Sequence, residues 1–339
     1  MATLYPEHPL RKPSSPPTWV CCNIVGDADY GRRALMRVLV TGARGKVGRA
    51  AVATLQAAGH DVRASDLSPP VFERPEESEA DYVQADLTDA GDAFAVVRGA
   101  EVVVHAAAIP EPTRNPAHVV FQNNLMATFN VLEAAVRFGV PRFVNISSET
   151  VPGFFFPERE FLPDYVPVDE EHPIRPQDPY ATAKYFGELL MDGAIRRSDI
   201  RCISIRPSWV QHEGNYERNL GPQVRDASVL SPNFWSYIDV YDLADAIVLA
   251  AESDLPGHEV FYIASPDNVG GRPFEEIVHE YYGDQVEITT PLPREDTSGI
   301  SIAKAREMLG YCPKRSWRDY LNEEGKLKPD LIEGSFGEP

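Results

Sequence analysis

Residues 38–48 read VLVTGARGKVG, a short apolar, β-branched run that passes at once into a turn with glycine at 42, 45 and 48. Each glycine has its own use in such a turn. One permits the tight reversal, one lets the backbone approach a pyrophosphate, and one lets the next helix pack against the sheet. The spacing of Val47, Ala51, Leu55 and Ala58 predicts a helix over 46–58, ended by Gly59. Its first N–H groups, unpaired at a helix start, are ready to receive an anion. A strand, a three-glycine turn and a helix in that order form a candidate dinucleotide site.

Outward from this turn the chain repeats the same alternation. Apolar runs at 61–65, 81–85, 101–107, 142–147 and 201–206 are separated by predicted helices near 116–138, 179–197 and 241–253. Near-continuous apolar strands between helices predict an α/β fold, a Rossmann-type doubly wound parallel sheet covered on both faces. Shorter helices are expected at 301–309 and 316–323. The domain reading is a dinucleotide-binding part over 36–206, with 236–264 returning to it. A smaller C-terminal substrate-binding subdomain is expected from 207–235 and 265–325. Prolines at 6, 9, 13, 16 and 17 predict a disordered arm over 1–35, with Met36 as an alternative start. Residues 326–339 read as a flexible tail.

Composition removes several functions. The 32 Lys and Arg against 51 Asp and Glu give a net charge of −19, which opposes binding to nucleic acid or anionic lipid. No apolar run approaches a membrane span of roughly 20 residues. Four scattered cysteines show no metal-ligand spacing, so no metal is expected, and they suit the reducing cytoplasm.

Two further clusters carry chemistry. Asp66 ends the second predicted strand, where a carboxylate accepts both ribose hydroxyls and repels a 2′-phosphate. That favours NAD; Arg44 and Lys46 inside the turn argue for NADP, the lesser alternative. Tyr180 and Lys184 stand four apart in PYATAKYFGELL and so share one helix face. An ammonium beside a phenol stabilises its phenolate. Ser147 and Ser148 end a predicted strand, the edge where functional groups of open sheets collect. His105, inside an apolar strand, reads as a hydrogen-bonded core residue.

The set TGARGKVG, Asp66, Asp86-Leu87, VVVHAAA, Asn124 in NNLMATFNVLEAA, Ser147-Ser148 and Tyr180-x-x-x-Lys184 resembles the extended short-chain dehydrogenase/reductases, the NAD-dependent epimerase/dehydratases. The similarity runs from Met36 to about residue 323, and includes SYIDVYDLADAI and SIAKAREMLGY. It implies an oxidoreductase with Ser148 as substrate-hydroxyl partner, Tyr180 as general acid/base and Lys184 as activator and ribose ligand. Asn124 would support the middle helix and the proton path. Gly42, Arg44, Gly45, Lys46, Val47, Gly48, Asp66, Asp86, Leu87 and Ala106 would face the cofactor. The family also implies a homodimer through the two long helices.

Departures narrow the reaction. The family's dehydratases follow the serine or threonine with an Asp-Glu pair, and here Glu149-Thr150 stands instead, against dehydration. The segment between Val210 and Trp235 is short for a nucleotide-sugar pocket. The runs SSETVPGFFFPERE and GNYERN resemble uronate dehydrogenases. The expected substrate is therefore a small sugar or sugar acid, with Ser147, Glu149, Arg218 and Arg225 as substrate candidates. The alternatives are a nucleotide-sugar epimerase with tightly bound NAD and, less favoured, a non-catalytic dinucleotide-binding protein.

Overall fold

The structure, a computed structural model, describes residues 35–69, 81–226, 229 and 231–329. The expected arm, apart from residue 35, and the last ten residues of the expected tail lie outside the described residues. The elements run β1 (Arg37–Thr41), α1 (Lys46–Ala57), β2 (Asp61–Asp66), β3 (Asp81–Gln84), α2 (Ala90–Val97), β4 (Val102–His105), α3 (Ala117–Phe138) and β5 (Arg142–Ile146). They continue as β6 (Tyr165–Val166), α4 (Pro179–Ile195), β7 (Arg201–Pro207), β8 (Val210–Gln211), α5 (Tyr216–Asn219), α6 (Gly221–Arg225), β9 (Ile238–Asp239) and α7 (Val240–Glu252). The last are β10 (His258–Ile263), α8 (Phe274–Tyr282), β11 (Glu287–Ile288), α9 (Ala303–Leu309) and α10 (Trp317–Tyr320).

Seven strands form one parallel sheet in the order β10-β7-β5-β4-β1-β2-β3. This is a Rossmann-type, doubly wound arrangement, with the strand order reversing between β1 and β4. Thr41 pairs with His105 across that reversal. Ligands of open α/β sheets bind at the carboxyl ends of the strands beside such a point. The period-2 alternation of a strand explains why the apolar runs are unbroken. Val38, Val40, Val102 and Val104 enter one core with Leu55 and Ile247, from α1 and α7. Leu39, Val103 and Phe143 enter a second core with Val131, Leu132 and Met191, from α3 and α4.

The six predicted strands of the main sheet and the three long helices are present within a residue or two. Two elements of this sheet were not anticipated: α2, whose eight residues are capped by the Asp89 side chain, and the seventh strand β10. Off the main sheet, β6 pairs with β11 and β8 with β9, both parallel. One expectation is corrected. Residues 326–329 are not loose, because Lys326 O accepts from Asn322 N at 2.9 Å and Lys328 N donates to Tyr320 O at 2.9 Å. Leu327 N adds a 3.0 Å bond to the Glu217 carboxylate. Backbone pairing of this kind holds four residues that polarity alone marks as tail.

Candidate active site

The turn after β1 has the geometry its glycines foretell. Gly42 adopts φ +66, and a Cβ there would meet Ala107 N at 2.6 Å; a Cβ on Gly48 would meet Gly42 O at 2.1 Å. The turn is thus drawn tightly over the ends of β1 and β4, with Ala106 N donating to Thr41 O at 3.2 Å. Asp66 ends β2, and its carboxylate accepts Arg44 N at 3.0 Å and Ser68 N at 3.1 Å. The Arg44 guanidinium donates to Pro69 O. A cradle with no room for a Cβ, a helix start behind it and a carboxylate at the next strand end fit a dinucleotide. Gly42, Gly45 and Gly48 would lie under the pyrophosphate, and Asp66 would hold the adenosine ribose.

The other expected cofactor residues lie along the same edge. Val47 packs on the main core, and Lys46 opens α1. The Lys46 ammonium is held below its usual value by partial desolvation and by the charge of Arg218. Asp86 closes a small turn, accepting both the N–H and the hydroxyl of Thr88. Leu87 is buried, and its carbonyl accepts from Asn130 Nδ2 at 3.0 Å.

Ser148, Tyr180 and Lys184 come together from two elements. Asp178 caps α4, accepting Tyr180 N and Ala181 N at 2.8 Å each, and Pro179 opens the helix. This fixes the register that puts Tyr180 and Lys184 on one face. Tyr180 is buried and hydrogen-bonded to Ser148. Burial pushes its phenol up to about 12, against the favourable hydrogen bond from Ser148. Burial pushes Lys184 down to about 8, and the charge of Glu188 opposes that fall. The Lys184 ammonium donates to Ile146 O at 2.7 Å and lies 5.8 Å from the Tyr180 ring centre. A buried phenol beside a hydroxyl and an ammonium can ionise to a phenolate able to accept a proton from a substrate hydroxyl.

Four candidates take other places. Asn124 gives its carboxamide to both backbone groups of Ile109, at 2.8 and 3.0 Å, and so ties the loop after β4 to α3. The Ser147 hydroxyl turns inward and donates to Glu188 Oε1 at 2.6 Å, which withdraws it from the substrate candidates. Arg225 reaches Gly325 O at 3.4 Å, toward the C-terminal segment. Arg218 is exposed, bonded to Asn219, and its charge acts on Lys46 and His212 beside the glycine turn. His105 is a core residue, as read: its ring bonds Thr41 at 2.9 Å and Thr128 at 3.1 Å, and burial holds it neutral down to about 3.

Glu149 is the candidate the structure enriches most. It is buried, accepts from Ser208 Oγ at 2.6 Å and from Asn233 Nδ2 at 3.4 Å, and when ionised it raises Tyr180 further. Burial pushes its carboxyl up to about 8, so it is protonated at neutral pH. Asn233 is held for this contact by a constrained turn. Phe234 and Trp235 have φ of 53 and 56, and a Cβ on Gly299 would lie 2.2 Å from the Phe234 Cβ. Ser208, Asn233, Glu188 and Arg206 escaped the sequence reading. A signal existed for two of them: Glu188 lies one turn beyond Lys184, and Arg206 is a charge inside an apolar strand.

Among the described residues no helix is long and apolar enough to cross a membrane, and no group of three metal-ligating side chains is present. The model of the NAD dependent epimerase/dehydratase family matches residues 38–264, two thirds of the chain. The chain belongs to that family. NAD is therefore its cofactor, and the protein is an enzyme of the extended short-chain dehydrogenase/reductase type. It is 26% identical to a UDP-glucose 4-epimerase of Corynebacterium glutamicum, over 83% of this chain and 92% of that one. It is 30% identical to an L-arabinose 1-dehydrogenase (NAD(P)(+)) of Haloferax volcanii, over 66% of this chain and 85% of the other. A short-chain dehydrogenase/reductase superfamily protein of Agrobacterium tumefaciens, solved with bound NAD, shares the fold at a TM-score of 0.64. That pair is 24% identical, over 88% of this chain and 98% of that one.

Proposed function

We propose that this enzyme is an NAD-dependent dehydrogenase that oxidises a hydroxyl of a small sugar or sugar acid, with Tyr180 as general base. The observation that carries the reading is the sealed set Ser148, Tyr180 and Lys184 at the edge that also carries the glycine turn. A nicotinamide dinucleotide held at the glycine turn would supply the hydride acceptor. The Ser148 hydroxyl orients the substrate hydroxyl, Tyr180, once ionised to its phenolate, accepts the proton, and the Lys184 ammonium lowers the cost of that phenolate. Glu149, neutral and buried beside Tyr180, avoids adding a negative charge that would oppose that phenolate.

A small substrate is supported by residues 212–237, whose aromatics Tyr216, Phe234, Trp235 and Tyr237 are buried in the core. The domain division is proposed to follow: 36–206 with 236–264 for the dinucleotide, and 207–235 with 265–325 for the substrate. Arg225 falls outside this proposal because it faces the C-terminal segment. NAD is preferred to NADP because Asp66 would lie where a 2′-phosphate would have to go. A homodimer is proposed through α3 and α4, where Met126, Phe129, Phe186 and Leu189 are exposed. Light scattering that gave a monomer mass at micromolar concentration would remove it.

The test is an absorbance assay at about 340 nm with NAD against uronic acids, free aldoses and nucleotide sugars, because NADH absorbs there and NAD does not. Net NADH formation with an aldose or uronic acid supports the dehydrogenase. The epimerase reading, favoured by the coverage of the Corynebacterium glutamicum relative, predicts interconversion of a nucleotide sugar with no net NADH and NAD retained through purification.

A further inference from the structure

One turn beyond Lys184 on the same face of α4, Glu188 forms a buried ion pair with Arg206 of β7. Glu188 and Arg206 are both almost fully buried, at 4% and 2% exposed. The pair is bidentate: Arg206 Nε donates to Glu188 Oε1 at 2.9 Å and Nη2 donates to Oε2 at 2.7 Å. The Ser147 hydroxyl adds a third donor to Oε1 at 2.6 Å. Arg206 Nη1 reaches the Tyr262 hydroxyl at 3.4 Å, and the guanidinium lies 5.2 Å from that ring centre. One carboxylate thus joins the end of β5, the helix α4, the strand β7 and, through Arg206, the strand β10.

Stability alone does not call for this arrangement. A buried ion pair loses about as much in desolvation as it regains, and apolar residues of similar size commonly hold a fold as well. Its placement is what matters. Glu188 is one helical turn from Lys184, and Ser147 immediately precedes Ser148. The charged and titratable groups around Lys184 are Tyr180 and Glu188 on its own helix and His105, neutral, on β4. Glu188 is faced by Arg206 from β7, Ser147 from β5 and, beyond Arg206, Tyr262 from β10. Lys184 itself has a backbone carbonyl, Ile146 O, as its hydrogen-bond acceptor. Glu188 is thus the carboxylate one helical turn from a buried ammonium, and its charge opposes the effect of burial there, while its bond to Ser147 fixes the strand end that presents Ser148.

We propose that Glu188, clamped by Arg206 and Ser147, is a positioning residue that keeps Lys184 charged and holds Ser148 against Tyr180. The inference rests on the catalytic reading of Tyr180 and Lys184, and its first test does not use activity. Carbon-13 lysine is incorporated into the full chain, the Lys184 resonance is identified by its loss in Lys184→Arg, and its titration midpoint is followed. The expected wild-type midpoint is about 8. In Glu188→Gln it falls by about one unit or more, because the supporting charge is gone and Arg206 remains. Glu188→Asp, which keeps the charge, stays within a few tenths of wild type.

Should Glu188→Gln fail to fold, the joint replacement Glu188→Met with Arg206→Met removes the charge without stranding a cation, and the same fall is expected. A midpoint equal to wild type in the folded Gln or double-Met variant overturns the proposal. So does an equal fall in Asp and Gln, which would make packing the cause. The second readout is the pH profile of turnover, whose basic limb should move with the midpoint. A shifted midpoint together with no dehydrogenase or epimerase activity in the wild type would leave Glu188's role standing and remove the functional reading instead.

Discussion

The glycine turn and the end of β5 lie at the same edge of one sheet, yet they prepare their chemistry by opposite means. The turn works with backbone. Gly42 and Gly48 are required because no Cβ fits, and the groups presented there are N–H groups and one carboxylate, Asp66. The end of β5 works with side chains brought from far along the sequence: Ser148, Tyr180, Lys184, Glu188, Arg206, Ser208 and Asn233. A backbone site tolerates burial cheaply, because its polar groups are fixed dipoles. A side-chain site needs each buried charge compensated, which explains the extra residues behind it.

This contrast is broken most severely at Tyr180. Tyr180→Phe is expected to lower turnover by about 1,000-fold while leaving NADH affinity within about twofold, because only the proton acceptor is lost. Stopped-flow turnover and a fluorescence titration with NADH check it. The backbone half responds in the reverse sense. Gly48→Ala places a Cβ about where Gly42 O lies, so the turn must shift, and the NADH dissociation constant should rise about 100-fold, roughly 2.7 kcal/mol. Binding that survived unchanged would mean that the turn does not carry the cofactor.

A third measurement separates the two halves by pH. The folded state holds the Glu149 proton up to about 8, whereas the unfolded chain releases it near the ordinary carboxyl value of 4.5. Between those limits the folded state binds more protons, so each rise in pH removes stability. Glu149→Gln should abolish that loss and exceed the wild type at about pH 6 by about 2 kcal/mol, with the gap closing toward pH 4. Denaturant melts at both pH values test it. The smallest effect is expected at Asp66. Asp66→Ala should narrow the preference for NAD over NADP by about tenfold, roughly 1.4 kcal/mol, measured as a ratio of kcat/KM values.

The legible part of the candidate site follows this division. The glycine spacing, Asp66 and the Tyr180-Lys184 interval are local patterns, so they could be read before any contact was known. Ser147 and Ser148 were equally visible, but adjacent residues at a strand end point to opposite sides. Which one turns toward Tyr180 depends on Glu188, which lies 41 residues along the chain from Ser147. Arg225 was a reasonable candidate by charge, and its direction was decided by Gly325, a hundred residues away. The strand β10 is not legible because HEVFYI opens on His258 and Glu259 and is buried only over its second half.

By itself the sequence determined the alternation of strand and helix, the glycine turn and the helix face shared by Tyr180 and Lys184. These depend on periods of two and 3.6 residues and on where a side chain is sterically forbidden. Only the tertiary structure decided which polar groups are buried together. It turned Ser147 toward Glu188, paired Glu188 with Arg206 and enclosed Glu149 with Ser208 and Asn233. The physical reason is that a charge acquires its protonation state from its neighbours, and these neighbours are distant in sequence.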